Sequence, residues 1–343
     1  MKGNHLNRRE FLKLGTAALL GAAAQTLLPA TSGYAGPGDY DDFSPPPKPF
    51  GRIISWSMQS VRKGPTTDSE RVTQLSHDTI IPLFATVVGS APWPTNDIWY
   101  QTTGGFIHSG YVQPSDNTLQ TDFPTIVREP GFWAEVCVPY AEARWVPNGP
   151  YVSQKLYFET VYRVVGAVQD EAGAWWYQLQ DGITWAPGPY VLAGTMRQFT
   201  PIDLAPFAPY YPNKWIEINL KEQVLTCYQD DVPVFTTRVA SGVWDTPTPR
   251  GEFKVLYKRH TQRMIGEDYD LAGVAFPTYF TESGVAIHGT YWHNDYGRPH
   301  SHGCLNVPST AARWVFRWTD PPVPYYEHTL RDTKGQGTRV VVI

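Results

Sequence analysis

The sequence predicts a mainly β protein of more than one body, with one or two short helices, and three observations predict it. Short runs rich in Val, Ile, Thr, Tyr and Trp alternate with turn residues from about residue 52 to the C-terminus. Gly and Pro are abundant, at 29 and 31, and aromatics make up 14% of the chain, a composition that suits strands joined by frequent turns. At 343 residues, the chain is long for a single core, so two or three domains are expected. Hydrophobic residues at 42% and charged residues at 17% place it among folded chains.

The N-terminus reads as an export address. Arg8-Arg9-Glu10-Phe11-Leu12-Lys13 precedes an Ala/Leu/Gly run from Leu14 to about Leu28, and Gly33-Tyr34-Ala35 offers a small-x-Ala cleavage site. This pattern resembles a twin-arginine signal over residues 1–35. The apolar run is short and interrupted by Gln25, which is weak for a permanent span, although an uncleaved anchor is the alternative. Either way, the remainder is expected outside the cytoplasm, in the periplasm, cell envelope or medium. Residues 1–35 hold four basic residues and one acid, so removing them takes the net charge from −4 to −7. That acidic balance argues against a nucleic-acid partner. Residues 36–51, with Pro45-Pro46-Pro47, read as an extended linker.

A weak repeat follows. Arg62-x-Gly64-Pro65, Trp99-Tyr100-Gln101 and Tyr111-Val112 are matched in order by Arg144-x-x-Pro147, Trp176-Tyr177-Gln178 and Tyr190-Val191. Strands are expected at Val72–Leu75, Thr79–Val88 and Ile98–Gln101. The two segments, 52–120 and 130–200, resemble bacterial SH3-like domains, small β-barrels found in tandem on cell-wall enzymes. The Trp-Tyr pairs are expected to be core, with peptide or glycan binding as the alternative.

Residues 201–212, with Pro201, Pro206, Pro209 and Pro212, read as a second linker. The unit 213–343 opens as an antiparallel meander: Trp215–Leu220, Val224–Tyr228, Val234–Ala240. Further strands are expected at Gly251–Lys258 and Gly284–His288. A helix is expected from Ser309 to Trp318, capped by Ser309 or Thr310.

The chemistry gathers in three segments of this unit. Ala286-Ile287-His288-Gly289-Thr290 ends a strand on a histidine. Ser301-His302-Gly303-Cys304-Leu305-Asn306 carries a thiol. Thr246-Pro247-Thr248-Pro249-Arg250-Gly251-Glu252-Phe253 is a stiff turn into a strand. A free thiol has a pKa of about 8.5 and needs a base to attack near neutral pH. His288 and His302 are both candidates: His302 shares a face with Cys304 if the stretch is extended, and His288 can approach from another strand. Gly303 permits tight backbone geometry, so N–H groups at 302–304 are candidates for an oxyanion hole. A zinc site from His293, His300, His302 and Cys304 is disfavoured, because so little chain separates the four ligands. Cys137 and Cys227 lie in apolar runs and read as buried small hydrophobes.

The three segments together resemble the signature of YkuD-type L,D-transpeptidases across 213–343. The resemblance implies a catalytic β-sandwich. It also implies Cys304 as nucleophile, His288 as proton donor and acceptor, the Gly289 carbonyl orienting His288, and His302 in a supporting role. Many members carry Arg where Asn306 stands, a departure that casts little doubt on activity. The implied substrate is a peptidoglycan stem tetrapeptide, cut to release D-Ala and joined to an amine. No cofactor or metal is implied, and a monomer is expected. Water as acceptor, giving a carboxypeptidase, and a non-catalytic wall-binding protein are the alternatives. Tyr291, Trp292 and Tyr296 are candidates for an aromatic lid. Arg298 is a candidate for a stem carboxylate, and Ser301 and Asn306 are further candidate substrate contacts.

Overall fold

The computed structural model describes residues 48–93, 95–180, 182, 184, 186–206 and 213–343. The export signal and Pro45-Pro46-Pro47 lie outside them. The described chain is mainly β, and its strands fall into three consecutive groups.

The first group covers residues 50–115. Phe50–Ile53 pairs with Ile80–Pro82 on one side and Val112–Ser115 on the other, and five more strands form a second sheet. The first strand therefore starts inside the stretch expected to be linker. The single run expected at Thr79–Val88 is split in two around Leu83, because Pro82 lacks the N–H that a continuous ladder needs.

The second group, 132–198, makes one seven-stranded sheet. Its strand order repeats that of the first group, with the unbroken Val161–Gln169 standing where the first group has two short strands. Trp99-Tyr100 and Trp176-Tyr177 occupy equivalent strands in these two modules, and all four side chains are buried. Tyr111-Val112 and Tyr190-Val191 are not equivalent. The former follows a 3-10 turn into the last strand, and its counterpart is Thr195-Met196.

In the third group, Val232–Arg238, Val224–Gln229 and Lys214–Asn219 form the expected meander. The C-terminal strand Arg339–Val342 then runs parallel to Lys214–Asn219 and antiparallel to Gly251–Lys254. A second five-stranded sheet has the order Leu305–Val307, Ala286–Gly289, Thr278–Tyr279, Tyr257–Arg259, Thr329–Arg331. Both sheets share one core with the apolar face of a helix at Ser309–Trp318, which buries Ala311, Ala312, Val315 and Phe316. That spacing is the i, i+1, i+4, i+5 stripe of a helix packed on a sheet. Pro308 is the N-cap, so Ser309 is the first helical residue. Two buried lysines satisfy the carbonyls that the helix C-terminus leaves open. Lys258 Nζ donates to Phe316 O (2.8 Å) and Thr319 O (2.6 Å), and Lys214 Nζ donates to Trp318 O (2.9 Å).

Within the stretch expected to be linker, Pro201–Leu204 forms one helical turn, closed by a Thr200/Asp203 capping box. The second module shares the core of the third. Trp133, Val161, Phe199 and Leu204 belong to the same buried cluster as Ile216 and Phe316. Trp133 stacks on His260 at 4.6 Å and donates to Tyr325 O at 2.6 Å.

Candidate active site

The Cys304 turn is built by the segment Val239–Val243, which lies alongside Gly297–Asn306. Ala240 and Asn306 exchange backbone hydrogen bonds at 2.9 and 3.0 Å, and Ser241 O accepts from His300 and Ser301. Two glycines make this approach close. Gly303 has φ +116°, a conformation costly for any side chain. A Cβ at Gly242 would stand 2.2 Å from Thr246 O and 2.8 Å from Gly303 Cα. The Thr-Pro-Thr-Pro segment then clamps the turn: Thr248 Oγ1 donates to Gly303 O at 2.7 Å and accepts from Gly242 N–H at 2.9 Å.

Ser301 closes the turn from within. Its hydroxyl donates to Cys304 O and accepts the Gly303 N–H at 3.1 Å. With its hydroxyl used in this way, Ser301 supports the turn. The Gly303 N–H, a candidate oxyanion donor in the sequence, is likewise occupied.

His288 sits on Ala286–Gly289, which pairs in parallel with Leu305–Val307, His288 opposite Asn306. Residues paired across a parallel ladder project to the same face, as do residues two apart on one strand. His288 and Asn306 therefore face the same way, and both line one cleft of about 790 Å³ together with Cys304, which lies in the turn just before Leu305–Val307. His288 is buried, with Nδ1 3.1 Å from Gly289 O. A carbonyl only accepts, so Nδ1 carries the proton and Nε2 is left as the basic atom. Burial lowers its pKa to about 4, against the smaller raising effect of the Gly289 carbonyl. Burial pushes the Cys304 thiol above its ordinary value, and its Sγ lies 3.8 Å from Gly284 O. At neutral pH the thiol and the imidazole are therefore both neutral.

The other sequence candidates divide. His302 is exposed at the rim, its Nε2 3.5 Å from Asp268 and its ring 5.1 Å from Tyr269. Asn306 is buried, with its amide 2.8 Å from His293 Nε2. His293 Nδ1 lies 3.2 Å from the Asp295 N–H, and the Asn306 atom nearest Nε2 is the amide nitrogen Nδ2. His293, like Asn306, lines the cleft, and its ring is locked by both contacts. Trp292 lines the cleft with its ring 5.8 Å from His288. Tyr296 packs against His293 at 5.4 Å and is not part of the cleft wall. Arg298 is bonded to Asp295 and lies 4.2 Å over the Trp93 ring. Cys137, Cys227 and Cys304 are all free thiols, and burial raises the first to about 11 and the second well above its ordinary value.

One wall of the cleft comes from the first module, through Arg52, Trp56, His77, Trp93 and Tyr111. The sequence gives no sign of this. Arg52 is fully buried and ties three parts of the chain together. It donates to Tyr291 O (2.8 Å) and Gln113 Oε1 (2.8 Å), pairs with Asp78 (2.9 Å), and lies 3.9 Å over the Tyr157 ring of the second module. Tyr157 in turn stacks on Tyr291 at 5.3 Å. The loop between His288 and Cys304 is thus held by both preceding modules.

Residues 213–342 match the model of the family described as "L,D-transpeptidase catalytic domain", YkuD. Among solved structures, a mutant L,D-transpeptidase of Enterococcus faecium is 27% identical, over 38% of this chain and 50% of that one, with a TM-score of 0.31. The catalytic domain of the E. faecium enzyme is 28% identical over 38% and 98%, with a TM-score of 0.31. L,D-transpeptidase 3 of Mycobacterium tuberculosis is 18% identical over 46% and 73%, with a TM-score of 0.31. The match spans half the length of the first of these. No curated protein matches the chain. With the family model spanning both the thiol turn and the histidine strand, residues 213–342 are a YkuD-type L,D-transpeptidase catalytic domain.

Proposed function

We infer that this protein is a peptidoglycan L,D-transpeptidase acting outside the cytoplasm. The observation that carries the reading is a neutral thiol and a neutral imidazole, Cys304 and His288, lining one cleft. The third residue of a stem tetrapeptide brings its carbonyl to Cys304. Sγ attacks the carbonyl carbon while the thiol proton passes to His288 Nε2. With both groups neutral at rest, transfer and attack occur together. The Gly289 carbonyl stabilises the imidazolium through Nδ1–H. Backbone N–H groups at the Cys304 turn receive the oxyanion, the Gly303 N–H exchanging Ser301 Oγ for it. The C–N bond breaks, His288 gives its proton to the leaving D-Ala amine, and a thioester remains. A side-chain amine of a second stem then attacks the thioester. It loses a proton to His288, which returns the proton to the departing Sγ. The product joins the third residues of two stems.

The twin-arginine pattern at Arg8-Arg9 supports export, and the shared strand order of the two preceding modules supports reading both as SH3-like wall-facing barrels. A carbapenem tests the nucleophile directly, because its strained amide acylates an activated thiol. The expected result is a single adduct on the peptide containing Cys304. An adduct on Cys137 or Cys227 contradicts the assignment.

A further inference from the structure

Trp56 is 86% exposed, yet it is fixed. One face of its ring stacks on His77, centroids 3.8 Å apart and planes 17° from parallel. The other ring face is free, and Trp56 lines the cleft that holds Cys304 and His288. A bare indole on a rigid backing is costly to leave in water and is a ready platform for a flat apolar face.

The edge of that platform is polar and neutral. Ser55 Oγ and Ser57 Oγ lie 3.0 Å apart, and Gln59 Nε2 donates to Ser55 Oγ (2.8 Å) and Ser57 Oγ (2.9 Å). Asp78 pairs with both Arg52 at 2.9 Å and Lys155 at 2.7 Å; Arg52 is buried and Lys155 is not part of the cleft wall. Burial lowers the His77 pKa, so the backing ring is uncharged at neutral pH. The charged groups Asp295 and Arg298 belong to the segment between the catalytic residues. The Arg52 bond to Tyr291 O ties the Trp56 wall to that same segment, so platform and thiol keep a fixed relation.

We propose that Trp56, with Ser55 and Ser57 at its edge, is a saccharide subsite that stacks on an N-acetylated amino sugar of the glycan strand while the attached stem reaches Cys304. A pyranose presents a C–H face to an aromatic ring and hydroxyl or acetamido groups to neutral donors and acceptors, which is the chemistry of this wall. A peptide stem carries carboxylates and an amine, and the edge of the platform offers them only neutral hydroxyls and an amide. The identity of the attached chain rests on the transpeptidase reading; the saccharide affinity does not.

The test has two arms, both on the full chain. In the first, chitotetraose is titrated against the protein and followed by tryptophan fluorescence and calorimetry. Trp56→Ala is expected to weaken binding about five- to tenfold, and Trp56→Phe to retain most of it. Equal binding by wild type and Trp56→Ala, or no binding by the wild type, overturns the proposal. In the second arm, kcat/KM is compared on a disaccharide-tetrapeptide and on the free tetrapeptide. Trp56→Ala is expected to lower the former about five- to tenfold and the latter by much less. Equal losses on both would make the platform a peptide contact and overturn the proposal, as would no loss on either. If the wild type turns over neither substrate, the transpeptidase reading fails, and the chitotetraose arm alone decides on the subsite.

Discussion

At Cys304 and His288, burial acts on the two groups in directions that keep the pair neutral: the thiol goes up and the imidazole goes down to about 4. Only a thiolate alkylates rapidly. Iodoacetamide should therefore label Cys304 slowly at pH 7 and faster only above the ordinary thiol range. A half-maximal rate near pH 6 would instead reveal a standing thiolate–imidazolium pair. Replacing His288 by Gln should abolish acylation by a carbapenem without removing the thiol, as titration of free sulfhydryls would verify. Gly242 is a third residue of consequence, because no side chain fits between Thr246 O and Gly303. Gly242→Ala should cost about 1–3 kcal/mol of stability, the range for overpacking, in a denaturant melt. It should also slow carbapenem acylation by displacing the turn. The thiol and its histidines were legible because their motifs are contiguous in the chain. The spending of Ser301 Oγ and the Gly303 N–H on the turn was not, since it depends on a backbone conformation that residue types do not specify.

The loop between His288 and Cys304 is held from outside its own domain. Arg52 reaches Tyr291 O across 239 positions of sequence, and Asn294 Nδ2 lies 3.3 Å from Ser109 O. No periodicity or motif reports such a contact, so the sequence could suggest an aromatic lid but not what holds it. Arg52→Ala should leave the Tyr291 carbonyl and Asp78 short of a partner. Amide hydrogen exchange should then accelerate over residues 290–300 more than in the strand Ala286–Gly289. Uniform acceleration across the domain would mean that Arg52 serves general stability and not the loop. The three meander strands of the third unit, by contrast, were legible within a residue or two, whereas the single run expected at Gly251–Lys258 is two strands, Gly251–Lys254 and Tyr257–Arg259, in different sheets. Turns such as that at Asp230-Asp231 punctuate the meander. The parallel placement of Arg339–Val342 beside Lys214–Asn219 was not, because the two lie at opposite ends of the unit.

Across the whole molecule, several buried histidines make stability depend on acid. Burial holds His260 at about 3, His288 at about 4 and His293 well below 6.5. Below pH 6.5 the unfolded chain takes up protons at these sites and the folded chain does not. Their contribution is therefore complete above pH 6.5 and shrinks as pH falls toward 4, each by about 1.4 kcal/mol per pH unit. Glu159, raised to about 7 by burial, opposes them with one proton. The melting temperature should therefore fall steeply between pH 6.5 and 4, and a flat profile would contradict the burial of these rings. The mainly β character was visible in composition and turns. The fusion of the second module with the third through Trp133 was not, because a tryptophan in a strand reads the same whether its neighbour is its own sheet or another body.

We infer that Cys304 hands an acyl group from one stem peptide to another. The most direct measurement is mass spectrometry of the full chain incubated with a purified disaccharide-tetrapeptide, with Cys304→Ala in parallel. A cross-linked dimer that has lost one D-Ala, absent with the variant, is the predicted result. A shortened tripeptide alone would make water the acceptor. Turnover by Cys304→Ala at the wild-type rate would contradict the account outright.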